Sequence, residues 1–474
     1  MLTVALIKAS LPSYFPDRHN VWSRAEKAVA DVIESIGARL VVVPDIPMNG
    51  AETARVIDAA EAEGADFLLC LHGGFSMGDV ARTLAASPHR IGFWSIPEPQ
   101  RTADIQLNNF VSLNMSLSIA RGVRDLKRNP VAWYHGAPED NALKTRLETT
   151  LRAIGAAKAV SDARIGVVGG LAMTFYNMEV STNALRARLG VEVANHDMHE
   201  LTGRMAAADP AEVDAEIARM SAAAPWRGVD ANQQALTARA ALAMRAISTE
   251  GGYTALAVSD WPALQDDPGM HPGAAFSWLE EAYGLPVASE GDVLGAVTQI
   301  AAKAIYGKTG ALLDMTEPDL ETGQLLMWHG GGGPLHMANE AGATWIAHPM
   351  IGRGTEAGPI YGAIADYVFA PGPATVFRVA REGSALFQMT AGIVGRDPSG
   401  FDGTRGWLQD FAIGGDAASL GDVVASVMGH GLEHHFILIP GDHAAVLAEF
   451  ASWTGLAPLG RIPARDHLAA QDFT

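Results

Sequence analysis

The feature that most constrains this chain is a rhythm that holds for most of its length and then stops. Short apolar runs at Leu2–Ala9, Leu40–Val43, Phe67–Leu71 and Ile91–Ile96, with Val131–Tyr134 as a fifth, alternate with amphipathic stretches at Val21–Ile36, Ala51–Ala62 and Asn109–Leu126. Strand, helix and strand at that spacing predict an α/β fold with a doubly wound parallel sheet. Such a sheet is covered on both faces and needs a large core. The composition supplies one: 48% of the 474 residues are hydrophobic and only 18% are charged. That balance also excludes a disordered chain.

The rhythm repeats from about Ser161. Arg164–Val168 runs into Gly169-Gly170, the helical stretch Asn183–Leu189 follows, and Val191–Ala194 is the next strand. The polar, Ala-rich stretch Glu200–Thr249 reads as helices. Ala255–Ser259, Leu312–Met315 and Leu325–Trp328 read as three more buried strands, with a long helix over Gly291–Ile305. Beyond Gly330 the texture changes. Gly and Pro become dense, and β-favouring runs appear at Thr344–His348, Ala374–Val379 and Leu386–Thr390, before a helix near Val446–Trp453. The expectation is two doubly wound parallel-sheet domains, residues 1–160 and 161–335, followed by a β-rich C-terminal domain, residues 336–474.

Charge narrows the function classes. The net charge is −19, which argues against a nucleic-acid partner and against an anionic membrane surface. No apolar run is long enough to span a bilayer. The opening Met1–Lys8 has no basic start and no small-residue cleavage site, so it reads as a first strand and the expected compartment is the cytoplasm. The single cysteine, Cys70, sits in an apolar strand and reads as a buried thiol.

Open α/β sheets bind ligands beyond the carboxyl ends of their strands, so polar residues at those ends matter most. Glu290 follows Leu285–Ser289 and opens a helix, Asp314 ends Ala311-Leu312-Leu313, and His329 ends Leu325–Trp328 before the four glycines Gly330 to Gly333. Each has an ordinary reading alone: a helix cap, a turn carboxylate, a histidine satisfying the backbone. Together, two carboxylates and an imidazole at strand ends form a hard-metal or acid–base constellation. Downstream, His434 and His435 are adjacent in Gly431–Leu438, so one can face the crevice while the other packs behind. Trp94, Glu98 and Trp261 stand at other strand ends and are candidates for a sugar-sized pocket. Leu71–Gly78 reads as an oxygen-binding loop or a helix entry, and Arg353 sits in a glycine turn. No Gly-x-Gly-x-x-Gly or Walker sequence is present.

In order along nearly the whole chain, these segments resemble the L-fucose isomerase and L-arabinose isomerase superfamily. Pro286–Asp292 is similar to the first metal-carboxylate segment and Ala311–Asp314 to the second. Trp328-His329-Gly330 with Pro334 resembles a Trp-His-Cys-Gly-Asn-Ala-Pro segment whose middle is here replaced by glycines. Gly431–His435 resembles the late Gly-x-x-His-His segment. The resemblance implies a metal-dependent aldose–ketose isomerase, an intramolecular oxidoreductase of carbohydrate metabolism. It would act on a small sugar (pentose, deoxyhexose or related) through an ene-diol held on the metal. The implied ligands of Mn²⁺ or another divalent cation are Glu290, Asp314 and His434, with His435 able to replace His434. Glu290 and Asp314 would also carry the proton. His329 would ligate or lie just behind, and His435, Trp94, Trp261 and Glu98 are further candidates for the substrate or the surrounding shell. A homo-oligomer, a hexamer or similar ring, is implied as well. The alternative is a sugar-binding protein of the same fold that is non-catalytic or reacts differently.

Overall fold

The computed structural model describes residues 1–100, 104–349, 361–396 and 400–466. It divides into two compact units: residues 1–158 with 452–455, and the remaining described residues. Arg353 lies outside the described residues.

The first unit is built on a five-stranded parallel sheet. Its strand order is Arg39–Val42, Thr3–Ala9, Phe67–His72, Arg90–Ser95 and Val131–His135. Helices Val21–Ser35, Gly50–Ala62, Gly78–Ala86 and Asn109–Val123 provide the crossovers. The central strand Phe67–His72 is buried at every position, as a sheet covered on both faces demands. Cys70 lies in it, 1% exposed, and burial pushes its thiol up to about 12.

The second unit joins two sheets. One is parallel, in the order Val287–Ala288, Ala255–Val258, Arg164–Val168 and Glu192–His196. Three helices, Met198–Ala207, Pro210–Ala223 and Ala231–Gly251, fill the Ala-rich stretch. Each is N-capped by an aspartate, Asp197, Asp209 and Asp230 in turn. The other sheet is mixed, and six of its strands close on themselves. Ala311–Asp319 pairs with Gln324–His329 and with His435–Pro440. His435–Pro440 pairs with Gly372–Ala380, then Gly372–Ala380 with Ala385–Val394. Ala385–Val394 pairs with Thr404–Ile413, which returns to Gln324–His329. All six pairings are antiparallel, giving a closed ring.

The α/β architecture with a β-rich final portion is as expected, but two strands sit elsewhere. Those at 312–315 and 325–328, expected in the second parallel sheet, belong to the ring. The connection Leu320–Gly323 is too short for a crossover, so they form an antiparallel hairpin. One apolar core runs from Val168 and Leu256 of the parallel sheet to Leu313, Phe387 and Phe436 of the ring. The helix Val293–Tyr306 packs against both. Among the described residues, no helix is long and apolar enough to cross a membrane.

Candidate active site

The two sheets of the second unit each contribute half of one cluster. From the parallel sheet come the carboxyl ends of three strands. Val287–Ala288 delivers Glu290, Ala255–Val258 delivers Asp260 and Trp261, and Arg164–Val168 runs into a loop that carries Phe175 and Asn177. From the ring come Asp314, His329 and His435. Asp314 and His435 are direct cross-strand partners, so their side chains share a face.

Glu290 is held in an unusual backbone conformation. Its φ is +61°, a left-handed value that costs a non-glycine residue on the order of 1–3 kcal/mol. Two bonds fix it there. The Glu290 N–H donates to Asp260 Oδ1 (2.7 Å), and its carbonyl accepts from Ala172 N (2.9 Å). Gly291 must follow because a Cβ there would lie 2.1 Å from the Gly170 carbonyl oxygen. The Trp261 indole N–H donates to Glu290 Oε1 (3.4 Å), and Trp261 stacks edge-on against Phe175 (5.7 Å).

His435 is completely buried. Its Nδ1 lies 3.0 Å from Asp292 Oδ2. Asp292 caps the Val293–Tyr306 helix and is gripped by both Nη atoms of Arg378, at 2.8 and 3.1 Å. Burial alone would raise the Asp292 pKa, but Arg378 and the hydrogen bonds from His435 and Arg378 hold it far below the usual range. Asp292 therefore stays an anion and takes the His435 Nδ1 proton as a hydrogen bond. That leaves Nε2 of His435 facing Glu290 Oε2 at 3.5 Å and Asp314 Oδ1 at 3.8 Å. Burial lowers the His435 pKa, yet the Asp292 bond and the charges of Asp314 and Glu290 outweigh it and raise the value. Asp314 is 32% exposed as a side chain, but its Oδ1 is buried. Burial pushes its pKa up, and the nearby Glu290 charge adds to that shift.

His434 contacts Glu290 from the outside, Nε2 to Oε2 at 3.1 Å, and is 35% exposed. Its Nδ1 accepts from the Asn177 amide at 3.0 Å, so its lone pair is committed away from the cluster. Donor atoms of Glu290, His434 and His435 lie within 4.8 Å of one another, as do those of Asp314, His329 and His435. His435 is common to both groups.

The other sequence candidates have local roles. Trp94 is 2% exposed, and its indole donates to the Gly136 carbonyl (3.1 Å) within the first unit. Glu98 accepts from the backbone N–H groups of Gln106, Leu107 and Asn108, also within the first unit. The Leu71–Gly78 segment is a helix entry in which a Cβ on Gly73 would strike Trp22 at 2.1 Å. The sequence reading missed Asp260, Asn177, Phe175 and Arg378 and gave Asp292 no role. Arg378 did leave a signal. A lone arginine inside Val376–Ala380, an otherwise apolar strand, needs a buried anion.

No protein-family model matches the chain. It is similar to proteins named sulfoquinovose isomerase. One from Priestia aryabhattai is 25% identical over 425 residues, 88% of this chain and 90% of the relative. One from Alkalicoccus urumqiensis is 28% identical over 357 residues, 74% of this chain and 75% of the relative. With these isomerases as relatives, the chain is an enzyme of the same class, an intramolecular oxidoreductase that interconverts an aldose and a ketose.

Proposed function

We propose that the enzyme isomerises sulfoquinovose, or an aldose close to it, at the Glu290–Asp314–His435 cluster, and that the cluster holds a divalent cation such as Mn²⁺. The substrate follows the names of the relatives. The cation rests on one observation. His435 Nε2 and Asp314 Oδ1 have no hydrogen-bond partner, yet they face each other at 3.8 Å with Glu290 Oε2 beside them. Buried polar atoms are normally paired, so such a gap marks a place to be filled. Two carboxylates and one imidazole suit Mn²⁺ and its neighbours. His435 is the better-oriented histidine, since the Arg378–Asp292 pair fixes its Nδ1 proton and leaves Nε2 free to ligate. In this reading the chain keeps its kinship with the fucose and arabinose isomerases.

A bound cation supplies charge that polarises the sugar carbonyl and its neighbouring hydroxyl. The chain does the rest. A carboxylate of Glu290 or Asp314 takes the proton from C2 and returns it to C1 while the proton of the C2 hydroxyl passes to the C1 oxygen, and Trp261 and Phe175 wall the Glu290 side. General-base assistance of this kind contributes about 10²–10⁴-fold. The test is proton exchange at C2 in D₂O with sulfoquinovose, pentoses and deoxyhexoses, before and after EDTA. Exchange with sulfoquinovose that EDTA abolishes and Mn²⁺ restores is the expected result. Exchange that survives exhaustive EDTA would sink the metal, and exchange with only the other sugars would sink the substrate.

A further inference from the structure

The four glycines after His329 have no part in that reading, and one of them, Gly331, bears directly on what His329 does. We infer that His329 donates a hydrogen bond to the substrate from Nε2 and is not a metal ligand, and that Gly331 fixes this role. The inference deepens the proposed isomerase site and rests on it.

His329 Nδ1 accepts the backbone N–H of Gly331 at 2.7 Å. A ring nitrogen that accepts a hydrogen bond carries the lone pair, so the proton of the ring sits on Nε2. A cation needs the lone pair, and His329 has committed it to the backbone. The hydrogen-bond partner at its Nε2–H is Ser289 Oγ, at a long 3.3 Å. His435 is the opposite case. Its Nδ1 proton goes to Asp292 and its Nε2 faces the carboxylates. The two rings lie 5.3 Å apart, crossed at 67°, and different neighbours set them in opposite tautomers. One can ligate while the other donates. The donor keeps its proton and stabilises the oxygen on which negative charge develops.

The bond from Gly331 requires a close turn. A Cβ on Gly331 would lie 2.9 Å from His329 Cε1 and 3.0 Å from its Nδ1. A Cβ on Gly330 would lie 2.5 Å from His348 Nε2, and one on Gly333 2.6 Å from Thr404 Cγ2. At Gly332 the nearest atom is Phe276 Cβ at an ordinary 3.8 Å. Three of the four glycines therefore stand where a side chain has no room, and at Gly331 the crowding atoms belong to the His329 ring itself.

The experiment measures Mn²⁺ binding by calorimetry, imidazole nitrogens on Mn²⁺ by pulsed electron paramagnetic resonance, and steady-state kinetics, for wild type, His329→Gln and Gly331→Ala. Both variants are expected to bind Mn²⁺ within about threefold of wild type with the same nitrogen signal. They should lose about 100-fold or more in kcat with little change in KM. A weakened Mn²⁺ affinity or a lost imidazole nitrogen in His329→Gln would make His329 a ligand and overturn the inference alone. Unchanged kcat would overturn it too. Should either variant misfold, ¹⁵N shifts of histidine in the wild type decide. A proton on Nδ1 of His329 defeats the inference, and one on Nε2 upholds it. Wild type that binds no Mn²⁺ would remove the site reading as well, a distinct failure.

Discussion

Among the described residues, each compact unit holds one histidine at 0% exposure, His72 at the end of a strand and His435 at the start of one, and the two are treated in opposite ways. His72, in the first unit, is sandwiched between hydroxyls, Nδ1 to Ser76 Oγ at 2.9 Å and Nε2 to Ser116 Oγ at 3.1 Å. Both nitrogens are satisfied by neutral groups, and burial pushes its pKa down to about 4. His435, in the second unit, has a carboxylate on one nitrogen and nothing bonded to the other, which faces two more carboxylates. Burial alone does not mark a functional histidine. In the proposed reading the mark is an ordered ring with one nitrogen left open toward acids.

The contrast can be broken first at the acids. Glu290→Gln or Asp314→Asn is expected to lower turnover by about 10³-fold or more with far-UV circular dichroism unchanged. Turnover within tenfold of wild type would reduce His435 to a second His72.

Next comes the group behind the ring. Asp292→Asn removes the anion that Arg378 and His435 share inside the core. Breaking a buried ion pair typically costs about 3–5 kcal/mol, and losing an orienting carboxylate weakens a metal site by roughly 10–100-fold. Urea unfolding and Mn²⁺ calorimetry read the two effects separately, and an unchanged affinity would show that Asp292 serves the fold alone.

His72 sharpens the comparison from the other side. Its folded pKa of about 4 lies below the ordinary 6.5, so its neutral form is favoured on folding. The associated stability is fully present above pH 6.5 and is lost as the pH falls to about 4. The loss amounts to about 3 kcal/mol across that window. The urea midpoint of the wild type should fall more over this range than that of His72→Gln. Parallel pH profiles would contradict the assignment.

The smallest effect is expected at the wall. Trp261→Phe keeps a ring against Phe175 and deletes the N–H that reaches Glu290. A single such bond corresponds to about a two- to fivefold change in kcat. A drop beyond a hundredfold would mean that the indole does more than steady the carboxylate.

Much of the fold was legible because buried parallel strands are continuous apolar runs. Phe67–His72 and Arg90–Ser95 are found within a residue of their sequence-based limits. The carboxylates and imidazoles were legible as residues but not as a geometry. Leu312–Met315 looks alike whether it lies in a parallel sheet or an antiparallel hairpin, and only the short Leu320–Gly323 link separates the two. Alternation says that His434 and His435 point to opposite faces. In the structure His434 lies just before the strand His435–Pro440 and escapes that alternation, so both histidines reach Glu290; only the pairing of His435 with Asp314, a register that no local pattern encodes, decides which one also faces the second acid. Glu290's left-handed backbone depends on Asp260, thirty residues earlier, and so leaves no mark in its own neighbourhood beyond Gly291.

Ring closure limits how this protein can drift over generations. A closed ring has no outermost strand, so none can slide by one position unless its neighbours slide with it. An inserted residue in the unbroken pairing of Ala311–Asp314 with His435–Leu438 would turn Asp314 or His435 to the other face unless a bulge took it up, as one does between Met315 and Glu317. Loops after the parallel strands, residues 169–178 and 259–270, obey no such arithmetic. New sugar preferences have room to arise there, while the acid and imidazole pair stays fixed.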